Sequence, residues 1–444
     1  MNIITSIACI CICVLTITIM CFYIKKKRGF WVSQPVFHIY DIGYLLHLYS
    51  YGIINSSIPD SNDKYIDNIN ITTTKIRKNT KDGCLDFEEF HKFICKHYLS
   101  NKDIQFYPSR ENIDPYFIGH SISPLLTVYL SNVHTQIVQP TTSISTMVKT
   151  NQQMVSAITS RCVTVVLKDM PTFKAQYVDY LCVNKHRRCS GVAPRMIRTH
   201  YANQRRILSS NLKTHIKKTK DDPSIVCVFK REGDLTGIVP MCVYTCYGYE
   251  DINHWPRPKN RLPNGVEIVK ITGQSYFKVH DFIDTIIRDK IFDTIIHTDH
   301  TNILELVKTG NLFIYARIDI GKISDVYIFR KSCTFLSNKR EILSLIASIH
   351  NPLTSTRQFV LGFKWALFDI MTQTNNSKNN NSDSENVEKT GFEILEIEDI
   401  SHNKDIITHI QTFIPKSNIE SMSAYFFYNY AYPTIKSSNA FIVL

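Results

Sequence analysis

From Tyr180 to Pro194 the chain reads Tyr-Leu-Cys-Val-Asn-Lys-His-Arg-Arg-Cys-Ser-Gly-Val-Ala-Pro. The residues from Tyr177 to Val183 predict a strand, those after it a basic turn containing Gly191, and Val192 to Leu208 an amphipathic helix. On that helix Met196, Ile197, Tyr201 and Leu208 form the apolar side, and Arg195, Arg198, Arg205 and Arg206 the polar one. Strand, turn and helix in this order aim free backbone N–H groups and a helix N-terminus at one point. That arrangement suits a pyrophosphate. Arg188 adds charge, and Ser190 and Gly191 allow close approach.

Other reactive residue types form weaker patterns. The 13 cysteines include no C-x-x-C pair, so a zinc ribbon is not expected. An odd total without a regular framework points to a reducing compartment for the folded part. Cys182 and Cys189 are expected to be small apolar fillers. His297 and His300 stand three apart, but no further ligands cluster with them, so no metal is expected. Asp82 to Glu89 looks like half of a calcium loop, yet Lys78 and Thr80 fill positions that need oxygen donors. It reads instead as a helix start, with Glu88 and Glu89 near the positive end of the dipole.

These candidates sit in a chain of 444 residues with 44% apolar and 20% charged residues, enough to bury a large core. The net charge of +12 favours polyanionic partners. Nucleic acid is not expected among them, because no basic stripe interleaved with aromatics appears. The abundance of Lys, Ile and Asn also fits a low-GC genome such as that of a large DNA virus. Ile3 to Ile24 carries no charge over 22 residues and is followed at once by Lys25, Lys26, Lys27 and Arg28. As a helix it spans roughly 33 Å, enough for a bilayer core. Charge after the apolar run, not before it, predicts a retained single-pass anchor with the rest of the chain cytosolic.

Downstream, Asp41 to Tyr51 and Asp86 to Tyr98 predict helices, and Ile54 to Asp82 a polar loop. Arg161 to Leu167, Ser224 to Phe229 and Met241 to Tyr247 predict strands. Trp255 to Pro263 reads as a linker. Beyond it Asp281 to Phe292 and Arg357 to Met371 predict helices; Leu312 to Asp319, Asp325 to Arg330, Phe392 to Ile397 and Ala424 to Tyr430 predict strands. Gln373 to Lys389 is low in apolar residues and predicts a disordered insertion. Strands lying close enough for antiparallel pairing, mixed with helices, indicate an α+β fold.

Arg188-Cys189-Ser190-Gly191-Val192-Ala193 fits the R/Q-x-x-G-x-A pattern of acyl-CoA-binding GNAT-type N-acyltransferases. More of the chain resembles the N-myristoyltransferase family. The Tyr180 to Pro194 stretch is similar to its FLCVHKKLRSKRVAP-type segment, and Phe30-Trp31-Val32-Ser33-Gln34-Pro35-Val36 to its FWxTQPV opening. Ser156-Ala157-Ile158 and Val163-Thr164-Val165 look like its SAIPANIHIY strand pair. Gly391 to Ile394 looks like GFDVF, Tyr425 to Tyr430 like YYLYNW, and Phe441 to Leu444 like the family's hydrophobic terminus. The order is collinear from about residue 29 to 444.

The resemblance implies two fused GNAT-like halves sharing a saddle-shaped mixed β-sheet flanked by helices, preceded by one transmembrane helix. The expected division is 1–28 for the anchor and basic flank, 29–254 for the acyl-CoA half and 255–444 for the half that forms the peptide groove. It implies myristoyl-CoA as co-substrate, no metal, and transfer of myristate to the N-terminal glycine amine of proteins. The carboxylate of Leu444 is implied as the base, and the N–H groups of Tyr180 and Leu181 as the oxyanion hole. The implied CoA site is Phe30, Trp31, Leu181, Cys182, Val183, Arg188, Cys189, Ser190, Gly191, Val192 and Ala193. A monomer is expected.

The chain departs from the family at Asp179, where the family has Asn, and at Lys230-Arg231-Glu232, in place of TAG. It departs again at Asn418 to Ser423, in place of a glycine-rich GDG, and in a shorter segment around Trp255 to Ile268. These departures leave open an inactive membrane-anchored scaffold or virion component, or an N-acyltransferase with another acyl chain.

Overall fold

The computed structural model describes residues 3–41, 51–77, 87–100, 103–137, 147–212, 222, 225–233, 237–336, 340–379, 391–414 and 416–444. It begins with helix α1, Ile3–Val32, in which Thr5–Tyr23 is long and apolar enough to cross a membrane. The helix runs on past that span to Gly29, whose φ of 32° breaks it. Phe30 is then buried in the body of the protein. The expected helix over Asp41 to Tyr51 lies largely outside the described residues.

The first part of the chain supplies β1 (Gly52–Ile53), β2 (Ile71–Lys75), α2 (Phe87–His97), β3 (Ile104–Phe106), β4 (Leu125–Ile137), β5 (Met147–Leu167), β6 (Phe173–Val183), α3 (Val192–Leu212), β7 (Cys227–Glu232) and β8 (Cys242–Tyr249). The second supplies β9 (Val266–Ile271), α4 (Tyr276–Arg288), β10 (Thr294–Thr298), α5 (His300–Lys308), β11 (Leu312–Asp319), β12 (Lys322–Leu336) and β13 (Arg340–Ile349). It continues through α6 (Thr356–Asn379), β14 (Phe392–Glu398), α7 (Asn403–Ile410), β15 (Ile419–Tyr428), β16 (Tyr430–Ala431) and β17 (Ala440–Val443).

The fold is α+β: one large mixed sheet flanked by helices. Its strand order is β17-β10-β5-β6-β7-β15-β8-β14-β13-β12-β11-β9, with β2 and β4 joined through β5, and β3 through β12. The pairs β10/β17, β6/β7 and β13/β14 are parallel and the others antiparallel. One late strand is inserted between early ones, and two more extend the sheet beside β5. β15 pairs with both β7 and β8, and β10 pairs with β5 on one side and β17 on the other.

Several expectations need correction. Ser156 to Ile158 and Val163 to Val165 belong to the single strand β5, not to a strand pair. Ile71–Lys75 is a strand inside the stretch read as loop, because Ile71 is buried and the segment pairs with β4. α6 extends to Asn379, so Gln373 to Asn379 is helical; residues 380–390 lie outside the described ones. Arg205 is buried, not on the polar face of α3, and donates to the Ser56 carbonyl at 2.8 Å.

Candidate acyl-transfer site

The site is organised by an irregularity in β6. Opposite β5, Ala157 pairs with Cys182 and Thr159 with Asp179, so Tyr180 and Leu181 together face only Ile158. This is a β-bulge, and Tyr180 has a φ of 49°. The bulge resets the alternation of side chains. Val178 joins the same apolar cluster as Leu181 and Val183, while Tyr180 and Cys182 enter the cluster on the other side. It also takes the N–H groups of Tyr180 and Leu181 out of the paired register.

One apolar cluster collects much of the sequence-predicted cofactor site. Phe30, Trp31, Leu181, Val183 and Val192 all belong to it. The Phe30 ring lies 5.0 Å from Trp31 and 4.9 Å from Tyr65, and Trp31 lies 5.7 Å from Phe426. Cys182 faces away from this cluster. Burial pushes its thiol up to about 12, so it stays protonated near neutral pH.

The turn after β6 is solvent-exposed from Lys185 to Gly191. Cys189 has a φ of 61° and Gly191 of 75°, and a Cβ on Gly191 would meet nothing within 4 Å. The concave turn at the start of the long helix α3 suits anionic oxygen atoms. Ser190 Oγ donates to the Arg187 carbonyl at 2.6 Å, which fixes the turn. Arg188 Nη2 donates to the His97 carbonyl at the end of α2, at 2.7 Å, so part of its donor set holds the turn in place. Ala193 is half-buried in the first turn of α3.

A cavity of about 310 Å³ opens on the other side of the bulge. Tyr180, Asp179, Arg161, Lys230, Arg330 and Glu396 contribute to its walls. Asp179 Oδ1 accepts from the N–H of Tyr180 at 2.8 Å, and Oδ2 lies 3.6 Å from Arg161 Nη2. Arg161 is buried, with Nε and Nη1 unpartnered among the described residues, and its guanidinium lies over Tyr116 and Tyr177.

A second charged group lies deeper. Glu398 Oε1 accepts from Lys230 Nζ at 3.0 Å and lies 3.3 Å from Arg330 Nη2. Burial alone would lower the Lys230 value. The Glu398 carboxylate, aided by Tyr244 and Tyr425, overcomes this and holds it well above the ordinary lysine range.

Three of the four sequence departures fall on this cavity. Lys230 and Glu232 on β7 line it, as do Ile419, Ser421 and Ser423. Ile419 to Ser423 is regular strand paired with β8, where a glycine-rich turn would leave open backbone. Glu420 does not line the cavity. It is turned to the other face, where Ser417 Oγ donates to it at 2.7 Å.

Leu444 is 3% exposed, at the end of β17. It packs in the core cluster that also contains Tyr177 and Cys246, two cavity-wall residues.

Sequence reasoning missed the residues that bind these segments together. Tyr428 Oη donates to Gln34 Oε1 at 2.6 Å and accepts from Arg198 Nη1 at 3.1 Å. Arg198 also donates to Asp63 at 2.8 Å. Asn429, with a φ of 68°, donates through Nδ2 to Tyr201 Oη and the Asn55 carbonyl, each at 2.7 Å. Gln34, Tyr428 and Asn429 lie inside the two motifs that carried the resemblance, and that was the available signal.

The histidine expectation also changes. His280 and Asp284 on α4 converge on His300, with ligand-type atoms within 4.8 Å of one another. His297 is buried beside this cluster, its ring 5.0 Å from that of His300, and its Nδ1 is bonded to the Thr298 carbonyl.

A bulged strand, a concave turn at the start of a long helix and an apolar cluster beside a charged cavity make up the candidate site. Two crystal structures of Saccharomyces cerevisiae N-myristoyltransferase share the fold. One, with bound myristoyl-CoA, is 13% identical; the match covers 93% of this chain and 94% of that one at a TM-score of 0.62. The other, with myristoyl-CoA and inhibitors, is also 13% identical, covering 92% and 91% at 0.60. The chain therefore has the N-myristoyltransferase fold. No family model and no curated protein sequence matches it.

Proposed function

We propose that the chain is a membrane-anchored N-myristoyltransferase that moves myristate from myristoyl-CoA to the N-terminal glycine amine of a protein. The observation that carries this reading is the bulge at Tyr180 and Leu181, set between the apolar cluster and turn on one side and the charged cavity on the other. The yeast structures of the same fold, with bound myristoyl-CoA, support the choice of acyl donor.

In this reading the turn from Arg188 to Ala193 holds the CoA phosphates, and the Phe30 and Trp31 side of the cluster holds the acyl donor. The glycine amine enters from the cavity and gives a proton to the Leu444 carboxylate. The amine nitrogen attacks the thioester carbonyl. The N–H groups of Tyr180 and Leu181 stabilise the oxyanion until it collapses and expels CoA thiolate. The helix through Thr5–Tyr23 keeps the site near a bilayer, with the catalytic part on the cytosolic side.

The contact between Asp179 and the Tyr180 N–H supports a second reading, an acyl-CoA-binding membrane scaffold without turnover. A peptide library separates the two. Incubation with acyl-CoA donors of different chain length and Gly-initiated peptides is expected to give acylated peptide and an equal amount of free CoA thiol, best with myristoyl-CoA. Tight myristoyl-CoA binding without product across the library would leave the scaffold reading; a different preferred donor would change the acyl chain.

A further inference from the structure

A larger cavity, of about 670 Å³, lies away from the bulge, between residues 252–260 and helices α6 and α7. Its floor is apolar. Leu361, Leu367, Phe368 and Met371 come from one stripe of α6, and Trp255 and Phe413 face them. The stripe follows helical spacing, which leaves one face of α6 on the cavity while Phe359, Phe363 and Ile370 pack in the core.

The rim has one sign of charge. Arg257, Lys259, Arg357 and Lys364 line it, and among the described residues no aspartate or glutamate does. Two of these cations lie against aromatic rings. Arg257 lies 5.4 Å from the rings of both Trp365 and Phe368, and Lys364 lies 5.3 Å from Phe413. Lys364 Nζ is also 2.9 Å from His409 Nε2. Trp365 Nε1 is already given to the Asn260 carbonyl.

An apolar cavity of this size with a few converging polar groups has the character of a small-molecule site. Its floor offers little hydrogen bonding, so it fits hydrocarbon. Its rim offers only positive charge, so it fits an anionic head. The polar stretch 380–390 that follows α6 in the sequence contains one aliphatic residue, Val387, too few to cover the floor.

We propose that this cavity binds a long-chain fatty acid, with its chain along the α6 stripe and its carboxylate among Arg257, Arg357 and Lys364. The site is separate from the acyl-transfer cavity and does not depend on that reading.

The test uses the full chain in phosphatidylcholine nanodiscs, with a photoreactive palmitate as probe and mass spectrometry of the labelled peptides. Labelling is expected within 252–260, 357–372 or 409–414. Excess palmitate is expected to abolish it, and an alkyl trimethylammonium of the same length to leave it intact. Reversing two cations in an Arg257→Glu, Lys364→Glu variant is expected to reduce labelling on the order of tenfold, as does the loss of about 1.4 kcal/mol of binding. Leu361→Trp, which fills the floor without changing charge, is expected to reduce it as well, with far-UV circular dichroism unchanged. Labelling absent from these segments, or competed equally by the cationic amphiphile, would overturn the assignment. So would labelling unaffected by both variants.

Discussion

Replacing Asp179 with Asn should speed acyl transfer. In the proposed reaction the oxyanion hole has two donors, the N–H groups of Tyr180 and Leu181. One of them is occupied, because Asp179 Oδ1 accepts from the Tyr180 N–H at 2.8 Å. Losing an oxyanion donor outright costs about 100- to 1,000-fold in turnover, which bounds the effect. Asp179 can release the donor by turning away, at the expense of a charge-assisted hydrogen bond worth about 1.5–3 kcal/mol. An Asn carbonyl at the same place makes a neutral bond worth about 0.5–1.5 kcal/mol. The difference, about 1–1.5 kcal/mol, corresponds to roughly tenfold in rate.

Asp179→Asn also weakens the 3.6 Å contact with buried Arg161. Since the carboxylate is 20% exposed, the stability cost should be about 1–2 kcal/mol, below the 3–5 kcal/mol of a fully buried pair. The assay is single-turnover transfer from saturating myristoyl-CoA, read by peptide mass, with chemical denaturation alongside. About tenfold faster transfer with unchanged myristoyl-CoA affinity is expected. A tenfold or larger fall in transfer, in a variant that remains folded, would refute the reasoning and make the Asp179 carboxylate itself the partner of the amine.

Three further outcomes follow from named contacts. One residue appended after Leu444 should displace the terminal carboxylate and reduce transfer, with little loss of myristoyl-CoA binding by calorimetry; unchanged transfer would remove Leu444 as the base. Glu398→Gln leaves Lys230 and Arg330 facing a neutral amide; because these side chains are 21% and 23% exposed, it should lower unfolding free energy in urea by about 1–3 kcal/mol, below the cost of breaking a fully buried pair. Acid should destabilise the fold through its buried histidines. Burial pushes His200 down from 6.5 to about 3, and His120 and His402 to about 4. Above pH 6.5 these groups are neutral in both states; below it the unfolded chain takes up protons and the folded one resists. The urea midpoint should therefore fall between pH 6.5 and 4, and His200→Asn should flatten the slope.

The elements of the site were largely legible because their periodicities are local. β6, the turn and α3 fall where Tyr177 to Leu208 indicated, and Phe87–His97 buries Phe90, Phe93 and Ile94 as their spacing implied. What could not be read arises from pairing at long sequence separation. β5 hides as two short strands because the polar run Thr159-Ser160-Arg161 interrupts its apolar residues, and only its pairing with β4 and β6 shows the strand to be continuous. Ile71–Lys75, rich in threonine, looks like loop until β4 is placed beside it. The salt link of Arg198 to Asp63 and the burial of Arg205 depend on chain more than 100 residues away. The occupation of the Tyr180 N–H depends on a backbone bulge, and the departure at Asp179 marked the place without showing the contact. The His280, Asp284 and His300 cluster was missed because its members come from two helices.

The most direct test pairs one peptide with its blocked form. The chain is incubated with myristoyl-CoA and either a Gly-initiated peptide or the same peptide N-acetylated at glycine, and peptide mass and free thiol are followed together. One myristoyl group on the free-amine peptide, matched by CoA thiol, and none on the blocked peptide is the expected result. Equal modification of both peptides, or thiol release without any acylated peptide, would contradict transfer to the glycine amine at this site.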